Sequence, residues 1–249
     1  MSQSMDETHV AQAAELLRDA EFACCLTGAG VSAESGVPTF RDLDGLWQDH
    51  RAEELVTLEA FQADPRRVWK FHHGWRELIG SVEPNPGHVA LARMEKILPR
   101  FELITQNVDG LHQAAGSSRV IELHGNIWDT WCVNCRYQCD AKLQPLSDEP
   151  HCPQCGAWLR PGVIWFGEAL PINALRAAQR AALSCDVMLV VGTSAVVQPA
   201  ASLPEWACQH GASIIEVNPE STPLSRIAAV RLSAPGAHVL PGLAEKLSA

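Results

Sequence analysis

The apolar positions of the chain fall into two periods. Residues 7–20 carry Val10, Ala13, Ala14, Leu16, Leu17 and Ala20 at helical spacing, which predicts a helix with one apolar face. A run of five follows at once, Phe22-Ala23-Cys24-Cys25-Leu26, and similar runs return at residues 101–104, 120–123, 187–191 and 213–217. Each is too short for a buried helix and most are rich in branched side chains, so each predicts a strand. Amphipathic patterns at residues 87–98, 173–184 and 200–210 separate most of them. Strands alternating with helices predict an α/β fold, a Rossmann-like parallel sheet with helices on both faces.

The residues after each run carry the chemistry. They are Gly28-Ala29-Gly30, Gln106-Asn107-Val108-Asp109, His124-Gly125, Gly192-Thr193-Ser194 and Asn218-Pro219-Glu220. In an open parallel sheet the ligand lies outside the carboxyl ends of the strands. Five polar or glycine-rich motifs at five such ends therefore converge on one crevice.

Gly28-Ala29-Gly30-Val31-Ser32-Ala33 fits the G-x-G-x-x-G/A dinucleotide fingerprint, in which a tight turn brings backbone and a helix N-terminus to a pyrophosphate. A plain glycine turn between strand and helix is the competing reading. No strand ending in Asp or Glu follows about 20 residues on, where an ordinary dinucleotide site holds its ribose-binding acid. The chain continues as Glu34-Ser35-Gly36-Val37-Pro38-Thr39-Phe40-Arg41, whose Gly36 and Pro38 interrupt a helix early. Among the strand-end groups, His124 is the best general-base candidate, because an ordinary imidazole titrates near pH 6.5. Gly125 beside it permits close approach of a ligand. His72, His73, His88, His112, His151 and His238 are read first as structural or surface residues.

Two segments break the alternation. Residues 41–81 are aromatic-rich and read as helical from Pro65, with Asp64 as N-cap. Residues 125–161 hold five of the nine cysteines, with Cys132-x-x-Cys135 and Cys152-x-x-Cys155 separated by sixteen residues. Four thiolates at that spacing predict a structural, tetrahedral zinc site with no open position for catalysis. Cys139 has no partner at the right spacing. Cys24, Cys25, Cys185 and Cys208 read as small buried hydrophobes. The chain thus divides into a Rossmann-like domain over 1–41, 82–125 and 162–249 and a small module over 42–81 and 126–161.

Composition narrows the partners. The 249 residues carry a formal charge of −10, with 47% hydrophobic and 19% charged residues. So acidic a chain has no general pull on nucleic acid or anionic lipid. The balance near the cysteines is acidic too, which favours a scaffold role for the ribbon. The start of the chain lacks a basic stretch followed by an apolar one, and no apolar run reaches the length of a membrane span. The expectation is a cytoplasmic, monomeric protein.

Taken in order, these blocks resemble the sirtuin family of NAD-dependent protein deacylases. Besides the glycine loop they include Thr105-Gln106-Asn107-Val108-Asp109-Gly110-Leu111-His112, His124-Gly125, both cysteine pairs, Gly162-Val163-Ile164-Trp165-Phe166-Gly167-Glu168, Gly192-Thr193-Ser194 and Val217-Asn218-Pro219. The resemblance implies NAD as co-substrate. Gly28, Ala29 and Gly30 would hold its pyrophosphate. Gly192, Thr193, Ser194, Asn218 and Glu220 would hold the adenosine half, with Ala237 near the adenine. Ala33, Glu34, Phe40, Arg41, Gln106, Asn107 and Asp109 would surround the nicotinamide half. An acyl-lysine peptide would pair with the strand-like residues 163–168, through Val163, Phe166, Gly167 and Glu168. The acyl oxygen would attack the ribose carbon bearing nicotinamide, with His124 as base and Asn107 and Asp109 as catalytic neighbours. The products would be nicotinamide, free lysine and O-acyl-ADP-ribose.

The Gly-Val-x-Trp-Phe-Gly-Glu wording resembles the mostly bacterial and mitochondrial branch, several members of which remove acidic acyl groups with a Tyr-x-x-Arg pair. Here that pair falls on His72 and Trp75, and Arg76 is displaced by one position. Acetyl or longer neutral acyl groups are therefore expected, with poor desuccinylation. Two other readings share the same residues: a protein mono-ADP-ribosyltransferase, and a non-enzymatic NAD-binding or zinc interaction module.

Overall fold

The computed structural model describes residues 2–39 and 55–248. Its main sheet has six parallel strands, β1 (Ala23–Thr27), β2 (Phe101–Thr105), β3 (Val120–Glu122), β7 (Val187–Val191), β8 (Ser213–Val217) and β9 (Val230–Leu232), in the order β3-β2-β1-β7-β8-β9. The chain winds outward from β1 to β3, then returns to the other side of β1. The switch point of the winding therefore lies between β1 and β7, where a doubly wound sheet opens its crevice.

The central strands are mostly apolar because both faces are covered. Cys25, Leu103, Leu189 and Ile215 point into one core, packed with Leu17 of α1 (Ser2–Asp19), Leu91 and Met94 of α4 (Pro86–Ile97) and Leu243 of α8 (Gly236–Leu247). Their neighbours Cys24, Ile104, Met188 and Ile214 point into a second core, with Ala178 and Ala182 of α6 (Ile172–Ser184) and Ala207 of α7 (Leu203–Gln209). This is the two-residue alternation of a pleated strand carried out on two apolar faces.

The five runs expected as strands all lie in this sheet, with ends shifted by at most one residue. The sixth strand, β9, is three residues long and is broken in hydropathy by Arg231. The last helix, α8, carries Pro241 inside it, a residue that ordinarily marks a break. The pattern at 200–210 begins as a 3-10 turn, Ala200–Ser202, before α7 takes over at Leu203 with Pro204 in its first turn.

A third apolar cluster joins the two segments that broke the alternation. It packs Phe61 of α2 (Leu58–Ala63), with Val68, Trp69 and Ile79 of α3 (Pro65–Gly80), against Ile127, Leu159, Val163 and Trp165. Asp64 caps α3 as expected, its Oδ1 accepting from Arg67 N at 3.1 Å, a contact worth about 1 kcal/mol. The ribbon is a small antiparallel sheet in the order β5-β4-β6, from β4 (Gly125–Cys132), β5 (Gln138–Asp140) and β6 (Leu159–Val163). Among the described residues no helix is long and apolar enough to cross a membrane.

Candidate active site

The carboxyl ends of β1 and β7 touch backbone to backbone. Gly28 N donates to Val191 O at 3.1 Å and Gly30 N donates to Gly192 O at 2.8 Å. Gly192 holds φ +59, and a Cβ there would lie 2.4 Å from Val31 N, so only glycine fits. Beyond the loop the structure departs from the simplest fingerprint. Two short 3-10 turns, Ala29–Val31 and Ala33–Ser35, stand where the fingerprint puts a helix N-terminus, in line with the early interruption expected from Gly36 and Pro38. Gly36 at φ +93 then ends them.

From this switch point a chain of hydrogen bonds runs along the strand ends. Asn218 Nδ2 donates to Thr193 O at 2.9 Å, and Gln106 Nε2 donates to Thr193 Oγ1 at 3.0 Å. The Gln106 carbonyl accepts from His124 Nδ1 at 2.8 Å. That bond places the proton on Nδ1 and leaves the Nε2 lone pair as the reactive face. Burial pushes the imidazole below its ordinary value of 6.5, and the bond to Gln106 offsets part of the shift, so His124 is neutral at pH 7. Gly125, expected to admit a ligand, holds φ +76, and its missing Cβ makes room for the Gly162 carbonyl of β6.

Beneath the loop lies a buried polar network. Ser32 Oγ donates to Asp109 Oδ2 at 2.8 Å, accepts from Asn107 Nδ2 at 3.0 Å, and lies 3.3 Å from His88 Nε2. Thr27 Oγ1 donates to Thr105 Oγ1 at 2.8 Å and lies 2.9 Å from His112 Nε2. A hydroxyl has one proton to give, so both imidazoles donate from Nε2. Their Nδ1 atoms are buried with no partner among the described residues. Asp109 also caps Leu111 N at 2.9 Å, and burial raises its carboxyl in spite of these bonds. Ser32, His88 and His112 had no place in the site read from sequence. The available signal was Asn85-Pro86 just before His88: Asn85 caps Gly87 N at 2.9 Å and donates to Val31 O at 2.8 Å, clamping α4 to the glycine loop.

The other expected site residues divide clearly. Ala33 and Glu34 are exposed on the second turn and Glu220 is exposed beyond β8, while Ala237 is buried at the start of α8. Phe40 and Arg41 lie outside the described residues. His72 is 1% exposed, its Nδ1 donates to Val68 O at 2.8 Å, and it faces Trp165 rather than solvent. Trp75 is half-buried and stacks on Phe71 at 6.4 Å. Arg76 is 7% exposed and donates to Ile127 O at 2.7 Å, Thr130 Oγ1 at 3.0 Å and Asp129 O at 3.1 Å. His72 and Arg76 therefore serve different neighbours and form no common receptor.

The four cysteines of the ribbon converge. Their Sγ atoms all lie within 4.8 Å of one another, with 3.5 Å between Cys132 and Cys155 and between Cys135 and Cys152. Four sulfurs about 2.3 Å from a tetrahedral zinc stand about 3.8 Å apart, so the donor set fits that ion. Cys139 is outside the group.

The Sir2 family profile matches residues 28–199. The chain is 55% identical to an NAD-dependent protein deacylase of Aquifex aeolicus, over 82% of this chain and 85% of that one. This chain belongs to the Sir2 family. Its fold is similar to that of a Sir2 homolog solved as an NAD complex, with a TM-score of 0.90 and 44% identity over 95% of this chain and 93% of that one. It is also similar to a Sir2 protein bound to a myristoylated histone peptide, with a TM-score of 0.80 and 36% identity over 97% of each chain.

Two outcomes follow for this Sir2 protein. Cys132→Ala should lose zinc, measured by elemental analysis, and lose stability or solubility with it, since metal binding is part of the folding free energy. A variant that folds normally without metal overturns the structural role. The second outcome concerns acid. Burial holds the imidazoles of His72 and His112 down to about 3 and that of His88 to about 4. The unfolded chain takes up these protons below pH 6.5 while the folded chain does not, so stability falls with pH between about 6.5 and 4. Each imidazole then costs about 2 kcal/mol at pH 5. Urea unfolding at pH 7 and pH 5 measures the loss, and equal stabilities would show that the rings are not held neutral.

Proposed function

We propose that this Sir2 chain is an NAD-dependent protein lysine deacylase, which transfers the acyl group of an acyl-lysine to ADP-ribose and releases nicotinamide. The observation that carries the reading is His124, a neutral base aimed by the Gln106 carbonyl and linked through Gln106 to Thr193 and Asn218 across the strand ends. The donor set fits a dinucleotide, with glycine backbone at the switch point and amides and hydroxyls on both sides of it.

In this reading the backbone of Gly28, Ala29 and Gly30 takes the pyrophosphate. Gly192, Thr193, Ser194, Asn218, Glu220 and Ala237 take the adenosine half. Ala33, Glu34, Phe40, Arg41, Gln106, Asn107 and Asp109 take the nicotinamide half. Bound NAD supplies a ribose carbon from which nicotinamide is a good leaving group, so the protein mainly positions groups and excludes water. His124 Nε2 accepts a hydroxyl proton while Nδ1 stays on the Gln106 carbonyl. The Ser32 network holds Asn107 and Asp109 in fixed rotamers beneath the site. The peptide pairs with residues 163–168, where Phe166 is exposed and Gly167 turns at φ +84. The peptide-bound Sir2 neighbour supports acylated peptides as the substrate class.

His124→Ala should lower turnover by about 10²–10⁴-fold, with zinc content and unfolding midpoint unchanged. In the wild type, kcat/KM should fall as pH drops through a midpoint below 6.5. Mass spectrometry of the products tests the reaction itself: deacylated peptide with O-acyl-ADP-ribose supports it, and a peptide made heavier by ADP-ribose overturns it.

The geometry also bears on the acyl group. A carboxylate at the end of the acyl chain finds no charged partner in His72, which is neutral, or in Arg76, which is spent on the β4 backbone. Acetyl-lysine peptide should exceed succinyl-lysine peptide in kcat/KM by at least about tenfold, as expected when a buried charge goes unpaired. Faster succinyl removal overturns this preference.

A further inference from the structure

Residues 163–168 hang between the base and the helical insertion. Ile164 N donates to His124 O at 2.8 Å, and Phe166 N donates to Val56 O at 2.9 Å. Glu168 N closes a turn onto Trp165 O at 3.1 Å. Backbone bonds alone leave such a loop free to change shape. One side chain from β6 braces it. Arg160 Nη1 donates to Glu168 Oε1 at 2.6 Å, and Nη2 donates to Glu168 Oε2 at 2.9 Å and to Val163 O at 3.0 Å. Its guanidinium lies 3.7 Å from the centre of the Trp165 ring. Glu168 Oε2 also accepts from Trp165 N at 2.8 Å. Trp165 in turn packs on Phe61 of α2, at 5.2 Å between ring centres.

Both Glu168 oxygens are thus engaged, by Arg160 of β6 and by the Trp165 amide of the loop. Burial alone would raise the Glu168 carboxyl, but the Arg160 bonds, the Trp165 amide and the Arg160 charge together hold it below the usual range. The arrangement needs a planar fork with several donors and a flat face for the indole, which lysine does not offer. The Arg160 side chain is 12% exposed, so the pair is shielded from the screening that weakens surface ion pairs.

We infer that Arg160 is a positioning residue for the acylated peptide, acting through Glu168 and Trp165 to set the shape of residues 163–168. The inference rests on the deacylase reading. It assigns to Glu168 an indirect part, since its carboxylate faces Arg160, and leaves the peptide to the loop's backbone edge and to Phe166. It also ties the zinc ribbon to the base, because the braced loop holds the His124 carbonyl.

The test uses the full chain with Arg160→Lys and Glu168→Gln. Each variant should raise KM for an acetyl-lysine peptide at least about tenfold, while the Kd for NAD, measured by calorimetry, stays within about twofold and zinc remains bound. A peptide KM within twofold of wild type overturns the inference. So does a parallel loss of NAD affinity, zinc and unfolding midpoint, which would mark Arg160 as merely structural. If Arg160→Lys is insoluble, Glu168→Gln carries the same readings. A wild type that turns over no peptide overturns the deacylase reading, and peptide affinity by fluorescence anisotropy then decides the matter. Weaker binding by the variants sustains the role of Arg160, and equal or undetectable binding by all three overturns it.

Discussion

The contact between Gly30 N and Gly192 O, at 2.8 Å, sets the distance between the two halves of the sheet at their carboxyl ends. It exists because neither residue has a Cβ and because Gly192 takes a left-handed conformation that other residues adopt only under strain. With the glycine loop and the 192–194 loop pressed together, Thr193 comes within reach of Gln106, and Gln106 offers its carbonyl to His124. The Thr193–Gln106 part of the polar arc follows from this close backbone approach, while the β1–β2–β3 backbone bonds place the Gln106 carbonyl for His124. A side chain at Gly192 would collide with Gly30 and Val31 and force the two loops apart.

The groups below this contact are held neutral or paired. Ser32 spends its proton on Asp109 and its lone pairs on Asn107 and His88. The low dielectric of the interior strengthens each of these bonds and makes any lost partner costly. That cost is already visible in the unpaired Nδ1 atoms of His88 and His112, which a charged imidazole would worsen by placing a cation in the core. A network of this kind fixes rotamers tightly, which suits a site whose work is to position groups rather than to attack the substrate.

Two arginines organise the insertions in the same manner, each using several donors at once. Arg76 of α3 reaches the backbone carbonyls of Ile127 and Asp129 on β4 and so fastens the helical insertion to the ribbon. Arg160 of β6 fastens the ribbon to residues 163–168. The fastened module also carries the cysteine cluster, whose Cys132 and Cys152 pack in the same apolar core.

Much of this was legible in the chain itself. The five apolar runs, the helical patterns between them and the cysteine spacing are local signals, and each reports a feature whose partners are near in sequence or set by a fixed period. The polar motifs after the runs lie together at the strand ends because a parallel sheet brings all its carboxyl ends to one side. What escaped was non-local. β9 and α8 carry Arg231 and Pro241, which blur the period. His88 and His112 look like any other histidine until Ser32 and Thr27, far away in sequence, arrive beside them. The spacing of Arg76 already displaced it from the Tyr-x-x-Arg position, but only the fold shows that three acceptors of β4 take its guanidinium. Sequence by itself determined which elements form and which chemical groups lie at their ends, because periodicity and propensity act over a few residues. Tertiary structure decided which of those groups stay available for chemistry, because a buried donor or acceptor must be satisfied by whatever the fold places within about 3 Å of it.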